Sequence, residues 1–66
     1  MKYNVAALRK ERRLTKTALA KALGVSVVYI RDVELGSRNL TAERLEQLAD
    51  FFGVPVNDLI NSEESA

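Results

Sequence analysis

One window of 20 residues, Lys16 to Leu35, constrains this chain more than any other part of it. It reads Lys-Thr-Ala-Leu-Ala-Lys-Ala-Leu-Gly-Val-Ser-Val-Val-Tyr-Ile-Arg-Asp-Val-Glu-Leu. Ala20 stands one turn before Gly24, and apolar residues fall at Leu19, Leu23, Val25, Ile30 and Val33. That spacing folds two short helices against each other across a tight turn. Thr15 can cap a helix running to about Leu23, and Ser26 can cap one from roughly Val27 to Leu35, ended by Gly36. Gly24 supplies the permissive backbone that the turn between them needs.

The rest of the chain extends this helical pattern. Val5, Ala6, Leu8 and Leu14 carry the apolar content of a first helix expected from about Asn4 to Arg13, with Asn4 at the cap position. Thr41 can cap a fourth helix that reaches Phe52 and closes at Gly53. On it Leu45, Leu48, Ala49 and Phe52 form one stripe, with Glu43, Glu46 and Asp50 outside it. Pro55 opens a short last element containing Leu59 and Ile60, which brings the expected count to five helices. No stretch alternates with period two, so a sheet is not expected. The expectation is an all-α, compact five-helix domain over residues 1–60, followed by a polar tail, residues 61–66, that frays.

Composition bounds what such a domain can do. Sixty-six residues form one domain with a modest core, whose stability is marginal or depends on a partner. There is no cysteine and no histidine, so disulfides, thiolate chemistry and the usual metal ligand and proton shuttle are all missing. An enzyme would need converging carboxylates, and Glu43, Glu46 and Asp50 read instead as one solvated helix face. No apolar run approaches membrane-spanning length and no signal peptide is visible, so a soluble, intracellular protein is expected. The net charge is +1, but it is unevenly spread. Residues 1–40 set nine bases (Lys2, Arg9, Lys10, Arg12, Arg13, Lys16, Lys21, Arg31, Arg38) against Glu11, Asp32 and Glu34, a local +6. Residues 41–66 set Arg44 against Glu43, Glu46, Asp50, Asp58, Glu63 and Glu64, a local −5. A basic front half suits a polyanion on one side; the alternative is ordinary solvated charge.

The chain from Val5 to Ile60 resembles the lambda-repressor-like (Cro/repressor, Xre-type) helix-turn-helix DNA-binding domain. The residues that carry the likeness are Leu19-Ala20, Leu23-Gly24-Val25-Ser26, Ile30, Val33-Glu34 with Gly36, Leu45, Leu48-Ala49 and Phe52-Gly53-Val54. Tyr29-Ile30 followed by Ser37-Arg38-Asn39-Leu40-Thr41 is also similar to the controller proteins of restriction–modification systems. The resemblance implies a helix-turn-helix formed by helices 2 and 3. It implies double-stranded DNA as partner, a homodimer on a palindromic operator, and a third helix lying in the major groove. No cofactor, no metal and no membrane are expected, and a cytoplasmic protein of prokaryotic or phage type, nucleoid-associated when bound, is expected. The resemblance also implies a structural ion pair between Arg9 and Glu34.

Phosphate contacts are expected at two places. Lys16 opens the second helix, where a cation opposes the helix dipole at a cost of about 0.3–1 kcal/mol unless an anion binds there. Thr15 and Thr17 add hydroxyls beside it. Ser37, Arg38, Asn39 and Thr41 form the second place, which the resemblance marks as a phosphate clamp; Thr41 can also simply cap its helix. Base contacts fall to Val27, Val28, Tyr29, Arg31 and Asp32. Where the family commonly places Gln, Arg or Ser, this chain has Val27, Val28 and Asp32. Valines cannot hydrogen-bond a base edge but can pack on a thymine methyl; Arg31 can address guanine, and Asp32 cytosine N4 or Arg31 itself. In the competing readings Val27 fills the core edge, Tyr29 packs on the first helix, and Arg31 only balances Asp32.

Phe51 stands beside the core stripe rather than on it. With Val56 and Ile60 it would make an apolar patch, and the resemblance places dimer contacts in this region. Alternatively Phe51 folds over the last element and completes the core. Two functions follow. One is a sequence-specific transcriptional regulator, a repressor or autoregulator. The other is a protein-interaction module on the same fold, of antitoxin or anti-repressor type, which the apolar Val27-Val28 start favours.

Overall fold

The helices begin and end where local chemistry dictates. The computed structural model describes residues 3–60, with α1 at Val5–Glu11, α2 at Lys16–Leu23, α3 at Val27–Leu35 and α4 at Ala42–Phe52. The hydroxyls of Thr15, Ser26 and Thr41 accept the N–H groups of Ala18, Tyr29 and Arg44 at 3.0, 3.1 and 3.1 Å. Each satisfies one of the N–H groups that a helix start leaves unpaired, a contribution of about 1 kcal/mol per cap. Gly24 takes φ +72°, and its N–H returns to Lys21 O while the Val25 N–H returns to Ala20 O. No atom lies within 4 Å of where a Cβ would sit on Gly24, so the constraint there is the left-handed backbone itself.

Helix α1 closes with the same pair of hydrogen bonds but without a glycine. Arg13 N–H returns to Lys10 O at 3.0 Å and Leu14 N–H to Arg9 O at 3.1 Å, with Arg13 at φ +56°. Among the described residues Arg13 is the only non-glycine with positive φ. The expected first helix from Asn4 to Arg13 is therefore too long, because the chain reverses through Arg12 and Arg13. Asn4 holds the cap position, yet its side chain makes no cap bond and donates from Nδ2 to Asp58 O at 3.1 Å.

The expectation of five helices is overturned. The structure has four α-helices and, after Pro55, a single 3-10 turn at Val56–Leu59. The physical reason lies in the carbonyls that a fifth helix would need. Leu59 O accepts the Asn4 N–H at 2.8 Å, and Ile60 is extended and bridges antiparallel to Tyr3. The chain start thus takes the place of a further helical turn. The tail expected at 61–66 lies outside the described residues.

The core is drawn from every element. Val5, Leu19, Ile30, Val33, Leu48 and Leu59 are the largest fully buried side chains, each contributing roughly 1.5–3 kcal/mol by its burial. On α4 the stripe of Leu48, Ala49 and Phe52 is buried and Leu45 half-buried, while Glu43, Glu46 and Asp50 face water. Two features tie the helix-turn-helix unit to its surroundings. Arg9 on α1 meets Glu34 on α3, both buried, with Nε 2.7 Å from Oε2. Tyr3 is buried, and its hydroxyl accepts the Leu40 N–H at 2.9 Å, fixing the loop between α3 and α4.

Candidate nucleic-acid interface

Helix α3 leaves one face open. Val28, Arg31, Asp32 and Leu35 fall at the i, i+3, i+4, i+7 spacing that puts side chains on one side of a helix. Ile30 and Val33 point the other way, into the core. Val27 and Val28 are 40% and 53% exposed. Val27 therefore does not fill the core edge, because Ile30, one turn further on, already does. Arg31 Nη2 lies 3.2 Å from Asp32 Oδ1, and its Nε 3.4 Å from the same oxygen, so the two side chains present a paired guanidinium and carboxylate.

Two polar groups, each with one cation, stand before and after this helix in the chain. At the start of α2, Thr15, Lys16 and Thr17 are exposed, and the Thr15 hydroxyl oxygen accepts the cap hydrogen bond. At the start of α4, Ser37, Arg38, Asn39 and Thr41 are exposed. The Ser37 hydroxyl donates to Asp32 O at 3.2 Å and Thr41 caps α4, so both help to hold the loop's shape. Among the described residues no carboxylate lies within ion-pair distance of Lys16 or Arg38.

Tyr29 is half-buried and packs against the core. The guanidinium of Arg38 sits 4.9 Å from its ring centroid, and that of Arg44 5.6 Å. Sequence reasoning misses Arg44, because it falls in the acidic back half of the chain. A signal exists all the same. Arg44 occupies the first turn of α4 beside Glu43, and a cation there opposes the dipole as Lys16 does on α2.

Among the expected dimer residues, Phe51 is 41% exposed and Ile60 45%, while Val56 is half-buried against the core. Phe51 meets Phe52 edge-on, with centroids 5.3 Å apart, and does not join the buried cluster. The Helix-turn-helix family model matches residues 5–59.

The chain belongs to the helix-turn-helix family. Among relatives, the helix-turn-helix domain is 40% identical over 57 residues to the HTH-type transcriptional regulator DdrOP3 of Deinococcus deserti, a match covering 86% of this chain and 44% of that protein. It is 34% identical over 59 residues to the immunity repressor protein of Bacillus phage phi105, covering 89% of this chain and 41% of that one. It is also 41% identical over 49 residues to the cyanate hydratase of a Marinomonas species, covering 74% of this chain and 34% of that enzyme. The chain thus spans less than half the length of these relatives, and a match to a third of an enzyme transfers no chemistry. The family is one of DNA-binding transcriptional regulators of Xre/Cro-like type, many of them repressors. Among the described residues no helix is long and apolar enough to cross a membrane, and no group of acidic side chains is arranged to hold a metal ion.

Proposed function

We propose that this helix-turn-helix domain represses or autoregulates transcription by binding a palindromic operator as a homodimer, with α3 in the major groove. The observation that carries this is the exposed face of α3, together with cations at the start of α2 and in the loop before α4 that no carboxylate neutralises among the described residues. Lys16 with Thr15 and Thr17, and Arg38 with Ser37, Asn39 and Thr41, set the register by holding phosphates. Val28 reads by packing on a thymine methyl, with Val27 beside it, and Arg31 reads guanine while Asp32 orients it. The Tyr29 ring is engaged by two guanidiniums, which favours a supporting role over base contact.

Each domain measures 33 × 24 × 23 Å and carries one such helix. Two half-sites about 34–36 Å apart therefore call for two copies. Phe51 and Ile60 are the apolar groups available to join them; Val56 adds less, being half-buried already.

Titration of a duplex by fluorescence anisotropy over a salt series tests the DNA role. Wild-type affinity falls steeply with salt, and Lys16→Gln with Arg38→Gln flattens the log–log slope by about 0.9 for each phosphate no longer neutralised. A slope unchanged by both substitutions overturns the phosphate assignment. The second function, a protein-interaction module of antitoxin or anti-repressor type, draws its support from the exposed Val27 and Val28. It predicts no preference among duplexes and loss of partner binding on Val28→Asp.

A further inference from the structure

Three elements converge on the ring of Tyr29. The ring belongs to the first turn of α3 and is held by its half-burial against the core. Arg38 arrives from the loop before α4, with its guanidinium 4.9 Å from the ring centroid. Arg44 arrives from the first turn of α4, at 5.6 Å. Arg44 is braced a second time. Its Nη1 donates to Gln47 Oε1 at 2.6 Å, and Gln47 Nε2 donates to Leu23 O at 3.3 Å, the last carbonyl of α2.

This arrangement gathers like charge. The two cations share one ring, so their separation cannot exceed the two centroid distances laid end to end, about one Debye length at 0.1 M salt. They repel, and Arg44 also opposes the α4 dipole. Among the described residues no carboxylate lies within ion-pair distance of either one. An anion placed beside the two guanidiniums relieves both costs. Stacking also leaves that anion something to bind. A guanidinium meets an aromatic ring with its face, while its N–H groups point outward from its edge. Arg44 spends Nη1 on Gln47 Oε1, so its other N–H groups and the guanidinium of Arg38 remain for phosphate oxygens, and the side-chain entropy of both is already partly lost before binding.

We propose that Tyr29 is the positioning residue of a two-arginine clamp, in which Arg38 and Arg44 together grip the phosphate backbone beside the groove that α3 enters. The proposal rests on the DNA-binding function above. It adds Arg44 as a phosphate ligand and moves Tyr29 from reading bases to presenting cations.

Tyr29→Phe keeps the ring and Tyr29→Leu removes it, and these two variants supply the test with Arg44→Gln. Anisotropy titrations of a duplex with the full chain are run between about 50 and 200 mM salt. Tyr29→Phe binds as the wild type does. Tyr29→Leu and Arg44→Gln each weaken binding to every sequence and lower the salt slope by about 0.9 for each phosphate released from the clamp. The Tyr29→Leu/Arg44→Gln double variant falls no further than Tyr29→Leu. In the free protein, the Arg38 and Arg44 side-chain N–H resonances carry ring-current shifts that survive in Tyr29→Phe and vanish in Tyr29→Leu. The dispersion of the backbone amide resonances verifies that each variant is folded. A folded Tyr29→Leu variant with wild-type slope overturns the clamp while leaving DNA binding in place. A wild-type chain that binds no duplex at all, with the ring-current shifts intact, overturns the function and the clamp together.

Discussion

Arg9 grips Glu34 at two points, Nε to Oε2 at 2.7 Å and Nη2 to Oε1 at 3.2 Å, while its Nη1 donates to Leu14 O at 2.7 Å. One side chain thus joins α1, the loop that follows it, and the C-terminal turn of α3. Both partners are buried, so removing one strands the other's charge away from water. Arg9→Ala is expected to cost about 3–5 kcal/mol, whereas Arg9→Met combined with Glu34→Leu regains most of that stability. Urea titrations of the three proteins check this; an unchanged midpoint for Arg9→Ala contradicts it.

Tyr3 supports the loop that carries Arg38. Its hydroxyl is the acceptor for the buried Leu40 N–H. Tyr3→Phe leaves that N–H unpaired, at a cost of about 1–3 kcal/mol. Amide hydrogen exchange gives the sharpest readout: Leu40 exchanges faster in the variant, while amides in the middle of α2 change only as far as global stability does.

Arg13 stands in a left-handed conformation that costs an L-residue about 1–2 kcal/mol. Arg13→Gly relieves it, less the roughly 0.5–1 kcal/mol that glycine's freedom in the unfolded chain takes back. The net effect is a small rise in melting temperature. A fall on calorimetry would mean that the Arg13 side chain contributes more than its backbone costs.

Phe51 and Ile60 are large apolar side chains left open outside α3 in the chain. Sedimentation equilibrium of the wild type is expected to show mass rising with concentration toward that of a dimer, and Phe51→Ser to stay at the monomer mass. Identical curves for the two proteins remove Phe51 from the interface.

What is legible in the sequence is whatever is settled within a few residues. The caps at Thr15, Ser26 and Thr41 and the turn at Gly24 are local chemistry, and they lie where the spacing puts them. The stripe on α4 is equally plain, because eleven residues give the helical period room to show. The last element reads as a helix in the sequence because four residues cannot reveal a period. Its actual shape depends on Asn4 and Tyr3 pairing with it from the other end of the chain. The buried place of Tyr3 and the turning of Asn4 toward Asp58 depend on the same distant pairing. At the interface, the apolar Val27-Val28 start of α3 and the cation at Lys16 are read from position, whereas the Arg38 group is read from the resemblance. The assembly around Tyr29 is not, since it joins residues from three elements. Arg44 becomes legible when α4 is asked the question asked of α2: why a cation occupies its first turn.

Sequence-specific duplex recognition by α3 is tested most directly by selecting bound fragments from a random duplex pool, then titrating the winner and a scrambled duplex at two salt concentrations. The expected outcome is a palindromic consensus with half-site centres about one DNA turn apart, bound well above the scrambled control at both salts. Enrichment of no sequence, or affinity falling equally for all duplexes as salt rises, would contradict base reading by the valine-led helix.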